Sequence, residues 1–363
     1  MIAKVVRADG TISPDAEANA IVWAVDQGAR VVNLSLGGLR DPITPSRDTF
    51  SPLEESAIGY ARRHGAVVVA AVGNGDQAPR TPWPYASYPA ALPHVIGVSA
   101  LAQDGSIPAF SNRDALFNDI AAPGEAILST FPRALTADRP TCPDQGYSDC
   151  GPPEYQNAQG TSFAAPQVSA AAALMLALRP ELAPDQVSAL IEHSAVDASA
   201  ENGCSECPPL RDALAGWGRL DITAALQSLD GPIPPSDQYE SNDDAGTRAA
   251  TLYGRTREIT ATIDFWDDQI DVYRVKLRGR QTVSVSLRGP AGTDTNLVLW
   301  KPGTERVEGL SVRLQAMRAT QSTGVGPNQH FVYRARAEGW YYLEVKLATP
   351  GFGPYTLRFT KSP

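Results

Sequence analysis

Three continuous apolar runs, "RVVNLSLGG", "AVVVAAVGNG" and "HVIGVSAL", limit the architecture more than any other feature of this chain. A strand with one wet face alternates apolar and polar residues; these runs do not, so both their faces must be covered. The segments around them carry helix signals. Ser13-Pro14 reads as an N-cap followed by a first-turn proline, Ile21, Val22 and Val25 share a face, and Gly28 stands at a C-cap position. Ser51-Pro52-Leu53-Glu54 is a capping box whose helix runs to about His64 and Gly65. Buried strands alternating with amphipathic helices predict an α/β, three-layer domain on a parallel sheet with right-handed crossovers, spanning residues 1–229.

In such sheets ligands sit beyond the carboxyl ends of the strands. Ser35-Leu36-Gly37-Gly38 and Gly73-Asn74-Gly75 both end strands at that edge. A further stretch, "NAQGTSFAAPQVSAAAALMLAL", residues 157–178, puts Ser162 just ahead of a small-residue helix. A serine there is either an N-cap, worth about 1 kcal/mol, or a nucleophile. Pro166 and the alanines around it indicate a backbone packed closely about a fixed point. A helix start aimed at the same edge adds amide donors and the positive end of the dipole.

Residues 230–246, proline-rich and acidic, read as a linker. Beyond them the period becomes two. "EITATID", "DVYRVKL", "TVSVSL", "NLVLW", "HFVYRA", "GWYYLEVKL" and "PYTLRFT" are short runs separated by turn residues, which predicts an all-β antiparallel sandwich over residues 247–363.

The charge balance, 31 basic against 40 acidic residues and a net charge of -9, argues against a nucleic-acid partner, since no basic cluster exceeds Arg62-Arg63. No apolar run reaches the length of about 20 residues that spans a bilayer; the stretch after Ser162 is interrupted by Gln167 and Ser169 and belongs in a core. Nothing in the sequence indicates an oligomeric state. The four cysteines form two near pairs, Cys142 with Cys150 and Cys204 with Cys207. A zinc site would need two more ligands, for which His193 is the one evident candidate, so structural disulfides and an oxidising, extracellular location are expected. "MIAKVVRADG" carries no signal peptide, its apolar residues being interrupted by Lys4 and Arg7.

A nucleophile, a base and oxyanion donors make an acyl-transfer site. "NAQGTSFAAPQVSAAAALM" is similar to the nucleophile motif of the subtilisin-like serine proteases, "AAVGNG" to the segment with their oxyanion asparagine, and "NLSLGG" to the strand that pairs with extended substrate. "FSNRDALFNDIAAPGEAILST" and "GWGRLDITAAL" resemble later segments, so the resemblance runs continuously over residues 1–229. It implies that Ser162 is the nucleophile, that Asn74 and the Ser162 amide hold the oxyanion, and that Ser35, Leu36 and Gly37 line the cleft. Polypeptides are then the substrates and no cofactor enters the chemistry.

The pattern departs from the family in one respect. The acid and histidine of the triad precede the Ser-Leu-Gly-Gly strand in subtilisins, yet the chain has neither an Asp-Thr-Gly or Asp-Ser-Gly turn nor a His-Gly-Thr motif. The expectation is that the sequence starts inside the domain and has no ordinary protease turnover as written. His64, His94, His193 and His330 each read as solvated or capping rather than as a substitute base. A non-catalytic peptide-binding or adhesion protein is the alternative. The insertion from Phe131 to Tyr155, with Cys142 and Cys150, is read either as part of the cleft rim or as a passive loop.

The second domain resembles the bacterial pre-peptidase C-terminal type on the strength of "YESNDDAGTRAATL", "DDQIDVYRVKL" and "GWYYLEVKL". Glu240, Asn242, Asp243, Asp268 and Asp271 offer hard oxygens suited to structural calcium. A solvated acidic linker and turn is the other reading, so the metal stays unassigned.

Overall fold

The computed structural model describes residues 1–7, 11–130, 155–307 and 312–363. The chain divides into two compact units, Met1–Pro234 and Pro235–Pro363.

In the first unit α1 (Pro14–Asp26) starts as its sequence signals: the Ser13 hydroxyl accepts from the Ala16 amide at 3.3 Å, and Gly28 closes the end at φ 87°. β1 (Val31–Leu34) leads to α2 (Pro52–Arg63), where the Ser51 hydroxyl accepts from the Glu54 amide. The capping box is only half made, because the Glu54 carboxyl turns away to hydrogen-bond Glu17 of α1. β2 (Val67–Ala71), β3 (Val95–Leu101) and β4 (Ile120–Pro123) complete a parallel sheet in the order β1-β2-β3-β4. Every residue of β2 and β3 is buried, which is why these runs do not alternate.

α1 and α2 cover one face, packing Ile21, Ile58 and Ala61 with Val32, Val68 and Ala70. After β5 (Ile127–Thr130) and β6 (Tyr155–Ala158), which pair antiparallel, α3 (Thr161–Leu178) lies against the other face. Its Ala164, Val168, Ala172 and Met175 meet Val67, Val69, Ile96 and Ile120, the alanines letting helix and sheet approach closely. Among the described residues α3 is the one helix long and apolar enough to cross a membrane, and half of it is buried inside this unit. α4 (Pro184–His193) and α5 (Ile222–Gln227) complete the layer. Cys204 and Cys207 form a disulfide, as expected; Cys142, Cys150 and most of the insertion before Tyr155 lie outside the described residues.

The second unit is two sheets around one core. β7 (Ala250–Thr251), β8 (Thr256–Asp264), β9 (Ile270–Leu277), β10 (Thr282–Arg288) and β11 (Thr295–Trp300) precede the short α6 (Val312–Gln315). β12 (Arg318–Ser322), β13 (Asn328–Arg334), β14 (Gly339–Leu347) and β15 (Phe352–Ser362) follow. The sheets run β13-β10-β15-β8 and β12-β11-β14-β9-β7, antiparallel except where β7 joins β9. Alternate residues, such as Val283, Val285 and Leu287 of β10, face Leu297, Leu299 and Leu343 across the core.

The linker reading of residues 230–246 needs correction at its end. Asp237, Glu240, Asn242 and Ala245 are buried, and the Asn242 carbonyl accepts from the Val272 amide at 2.7 Å. The acidic side chains that made the stretch look solvated are used inside the second unit.

Candidate active site

Gly73 leaves β2 at φ 98°. A Cβ there would stand 2.3 Å from Ser87 Oγ and 2.6 Å from Asn112 Nδ2, so only glycine fits the turn. The turn presents Asn74 to the start of α3. Asn74 Oδ1 accepts from both the Thr161 amide and Thr161 Oγ1, each at 2.9 Å, and Thr161 Oγ1 in turn accepts from the Gly73 amide at 3.2 Å. An amide N–H can only donate, so these bonds fix which end of the Asn74 side chain is oxygen. Nδ2 is left as its donor end.

Ser162 follows Thr161 as the second residue of α3. The N-cap is Gly160, which has no side chain to cap with, so the capping reading of Ser162 fails. Its hydroxyl donates instead to the Ser35 carbonyl at 3.4 Å. A second link runs the other way. Pro166 has no N–H to give the Ser162 carbonyl, which would otherwise be its partner one turn back, and Ser35 Oγ donates to that carbonyl at 2.8 Å. Ser35 and Ser162 are therefore joined twice across the sheet edge.

Past β1 the segment Ser35-Leu36-Gly37-Gly38 lies beside Tyr88. Gly38 and Tyr88 exchange backbone hydrogen bonds at 2.9 and 3.0 Å, and a Cβ on Gly37 would meet the Tyr88 carbonyl at 2.5 Å. Leu36, Gly37, Asn74, Ser87, Thr161 and Ser162 border a cavity of about 170 Å³. All five residues singled out in the sequence, Ser35, Leu36, Gly37, Asn74 and Ser162, thus meet at the carboxyl ends of β1 and β2. Sequence reasoning passed over Thr161, Ser87 and Asn112, which set the Gly73-Asn74 turn. The threonine of "GTS" was in view, but its partner lies 87 residues away.

None of the four histidines borders this cavity. His64 ends α2 with Nδ1 at 2.9 Å from the Tyr60 carbonyl and its ring stacked 4.0 Å from Tyr60. His94 precedes β3 at φ 62°. His193 meets Trp217 edge-on, and burial depresses its pKa toward the neutral ring. His330 sits on β13 with Nε2 at 3.2 Å from Ser284 Oγ. The cavity brings together a hydroxyl and an amide donor, the two kinds of group that nucleophilic attack and oxyanion stabilisation call for.

A second constellation is built on acidic side chains of the second unit. Oxygens of Asp237, Glu240 and Asp271 fall within 4.8 Å of one another, and Glu240 also shares such a cluster with Asp243 and Asp268. Burial and mutual repulsion push the Asp268 and Asp271 carboxyls well above the usual range. Asp271 is held by Asn242 Nδ2 at 2.7 Å and by the Tyr355 hydroxyl at 2.6 Å. Asn242 Oδ1 and Asp268 Oδ1, both buried, accept no hydrogen bond among the described residues. Buried oxygen acceptors left without donors are costly and suit a hard cation. Asp237 was not picked from the sequence because it lay in the presumed linker.

Comparison with known proteins gives a consistent family. The Subtilase family matches residues 1–218. Fervidolysin of Fervidobacterium pennivorans is 32% identical over 69% of this chain and 32% of its own length. Thermitase of Thermoactinomyces vulgaris is 35% identical over 44% of this chain and 45% of its own. A solved structure of the prenylagaramide maturation protease is 27% identical, covering 60% of this chain and 68% of that one with a TM-score of 0.47. The chain thus spans less than half of these two curated relatives.

Proposed function

Because the chain belongs to the subtilase family, we propose that it carries the nucleophile and oxyanion half of a serine endopeptidase site, acting on polypeptides in an extracellular setting. In this reading Ser162 Oγ attacks the scissile carbonyl, Asn74 Nδ2 and the Ser162 amide receive the oxyanion, and substrate pairs along Ser35-Leu36-Gly37. The observation that supports it most is the lock on Asn74: both Thr161 bonds fall on Oδ1, which leaves Nδ2 as the donor end of a residue that borders the same cavity as Ser162. Such preorganised donors contribute about 3–4 kcal/mol in acyl transfer.

The Ser162 hydroxyl donates to a backbone carbonyl, and among the described residues no histidine borders its cavity. A serine hydroxyl without a base is a poor nucleophile at neutral pH. The chain as given is therefore expected to bind extended peptides and not turn them over. The test is cleavage of a quenched fluorescent casein by the purified chain and by Ser162→Ala. Equal, background rates support the reading; robust cleavage that Ser162→Ala abolishes would refute it. Peptide affinity retained in Ser162→Ala supports the same cleft as a binding surface. A cleft that serves for binding alone is the second reading, and the bond by which the Ser162 hydroxyl donates to the Ser35 carbonyl favours it.

We further propose that the acid cluster of the second unit holds calcium, through Asp237, Glu240, Asn242, Asp268 and Asp271. Calcium would supply charge neutralisation there and no chemistry. Calorimetric titration with CaCl₂ should show saturable binding that Asp271→Asn removes; heats equal to buffer dilution would refute the site.

A further inference from the structure

Asp271 and Tyr273 stand two residues apart on β9, so their side chains share a face of that strand. Tyr355 meets them from β15, a strand of the opposite sheet, and all three residues are buried. The Tyr355 hydroxyl lies 2.6 Å from Asp271 Oδ2, and the Tyr273 hydroxyl lies 2.6 Å from that of Tyr355. As a cation ligand Asp271 is a carboxylate, which only accepts. Tyr355 has one proton and spends it on Oδ2, so between the two hydroxyls Tyr273 is the donor. The chain then has a single direction, from Tyr273 through Tyr355 to Asp271, and donation into the Tyr355 oxygen strengthens the bond that Tyr355 gives.

The other oxygen of Asp271, Oδ1, accepts from Asn242 Nδ2 at 2.7 Å. Asp237 is held in the same manner: the Tyr239 amide donates to its Oδ1 and the Thr262 amide of β8 to its Oδ2, both at 2.7 Å. Tyr239 packs edge-on against Tyr273, with ring centroids 5.5 Å apart. Two members of the Asp237–Glu240–Asp271 group thus have both oxygens tied to the surrounding protein. A carboxylate oxygen accepts more than one bond, so each keeps capacity for a cation. Their orientation is set by β8, β9 and β15, before any ion enters.

We propose that Tyr355, backed by Tyr273, is a positioning residue for the cation of this cluster: it fixes the Asp271 carboxylate from the opposite sheet. The proposal rests on calcium occupying the cluster. Hydrogen-bond partners behind a metal ligand, when removed, weaken metal binding roughly 10–100-fold.

The test titrates the intact, EDTA-stripped chain with CaCl₂ in a calorimeter, and measures urea unfolding in EDTA alongside. Tyr355→Phe should weaken calcium binding by about tenfold or more, and Tyr273→Phe by less, because it leaves the bond from Tyr355 to Asp271 in place. Val285→Ala, which removes methyl groups from the same core, should lower stability in EDTA and leave the calcium dissociation constant unchanged. Parent affinity in Tyr355→Phe refutes the positioning role while the calcium site stands, and so does an equal loss of affinity in Val285→Ala. If Tyr355→Phe does not fold, Tyr273→Phe decides: weaker binding supports the role, and parent affinity overturns it. A parent chain that takes up no calcium refutes the site itself, and the positioning role with it.

Discussion

Glu17→Gln should stabilise the protein, and increasingly so as pH rises. Glu17 is protonated in the fold up to about pH 9 against an ordinary value of 4.5, because burial and the Glu54 charge oppose its ionisation. Between those values the unfolded chain has released a proton that the folded chain retains. Stability therefore falls with increasing pH, by about 1.4 kcal/mol per unit for one proton, and the loss is complete once the folded pKa is passed. Glutamine offers Glu54 a permanent N–H in place of the shared proton and has nothing to ionise. Parent and variant should match near pH 5, and by pH 8 the variant should lead by a ceiling of about 4 kcal/mol, three units at that slope. Urea unfolding of both proteins at half-unit intervals from pH 5 to pH 9 measures the difference. A stability difference that stays flat across this range would refute the argument, since it would mean that Glu17 ionises alike in both states.

Other expectations follow from the same contacts. Ser35→Ala leaves the Ser162 carbonyl without the donor that Pro166 cannot supply, and should cost about 1–3 kcal/mol in urea unfolding. Gly73→Ala combines a φ of 98° with a Cβ 2.3 Å from Ser87 Oγ, and should cost roughly 3 kcal/mol or more, read as loss of soluble, folded protein. Thr161→Val removes one of the two bonds on Asn74 Oδ1 while keeping the backbone one, and should lower stability by about 1 kcal/mol. Saturating calcium should raise the thermal midpoint of the parent and leave that of Asp271→Asn unmoved, as differential scanning calorimetry can record.

What the sequence made legible was whatever depends on near neighbours. The unbroken apolar runs gave β2 and β3 because complete burial removes the need for alternation, whereas β1, at the sheet edge with Asn33 exposed, is buried only at alternate residues; Ser13 and Ser51 gave the helix starts because capping acts over three residues. Strands β7 and β12 went unread: one is two residues long and the other, "RATQS", has no apolar face to betray it. Glu54 was misread for an instructive reason. Its spacing from Ser51 fits a capping box, but a carboxyl on α1 competes for it, and nothing local reveals that competitor. In the same way the acidic stretch around Asp237 looked solvated until strands far along the chain closed over it. The site residues were found through motifs, while Thr161, Ser87 and Asn112, which hold them, belong to contacts spanning 25 to 88 residues.

The proline in α3 gives the site an unusual kind of rigidity. A regular helix is self-sufficient, and its first turn can slide or fray without informing the rest of the molecule. Pro166 withdraws that independence at one carbonyl, and the deficit is met by a hydroxyl 127 residues earlier in the chain. The start of the helix and the end of the strand then share one position instead of two. Whatever displaces Ser35 displaces Ser162, so the strand end and the hydroxyl become a single mechanical variable, created by a bond that the helix is unable to make.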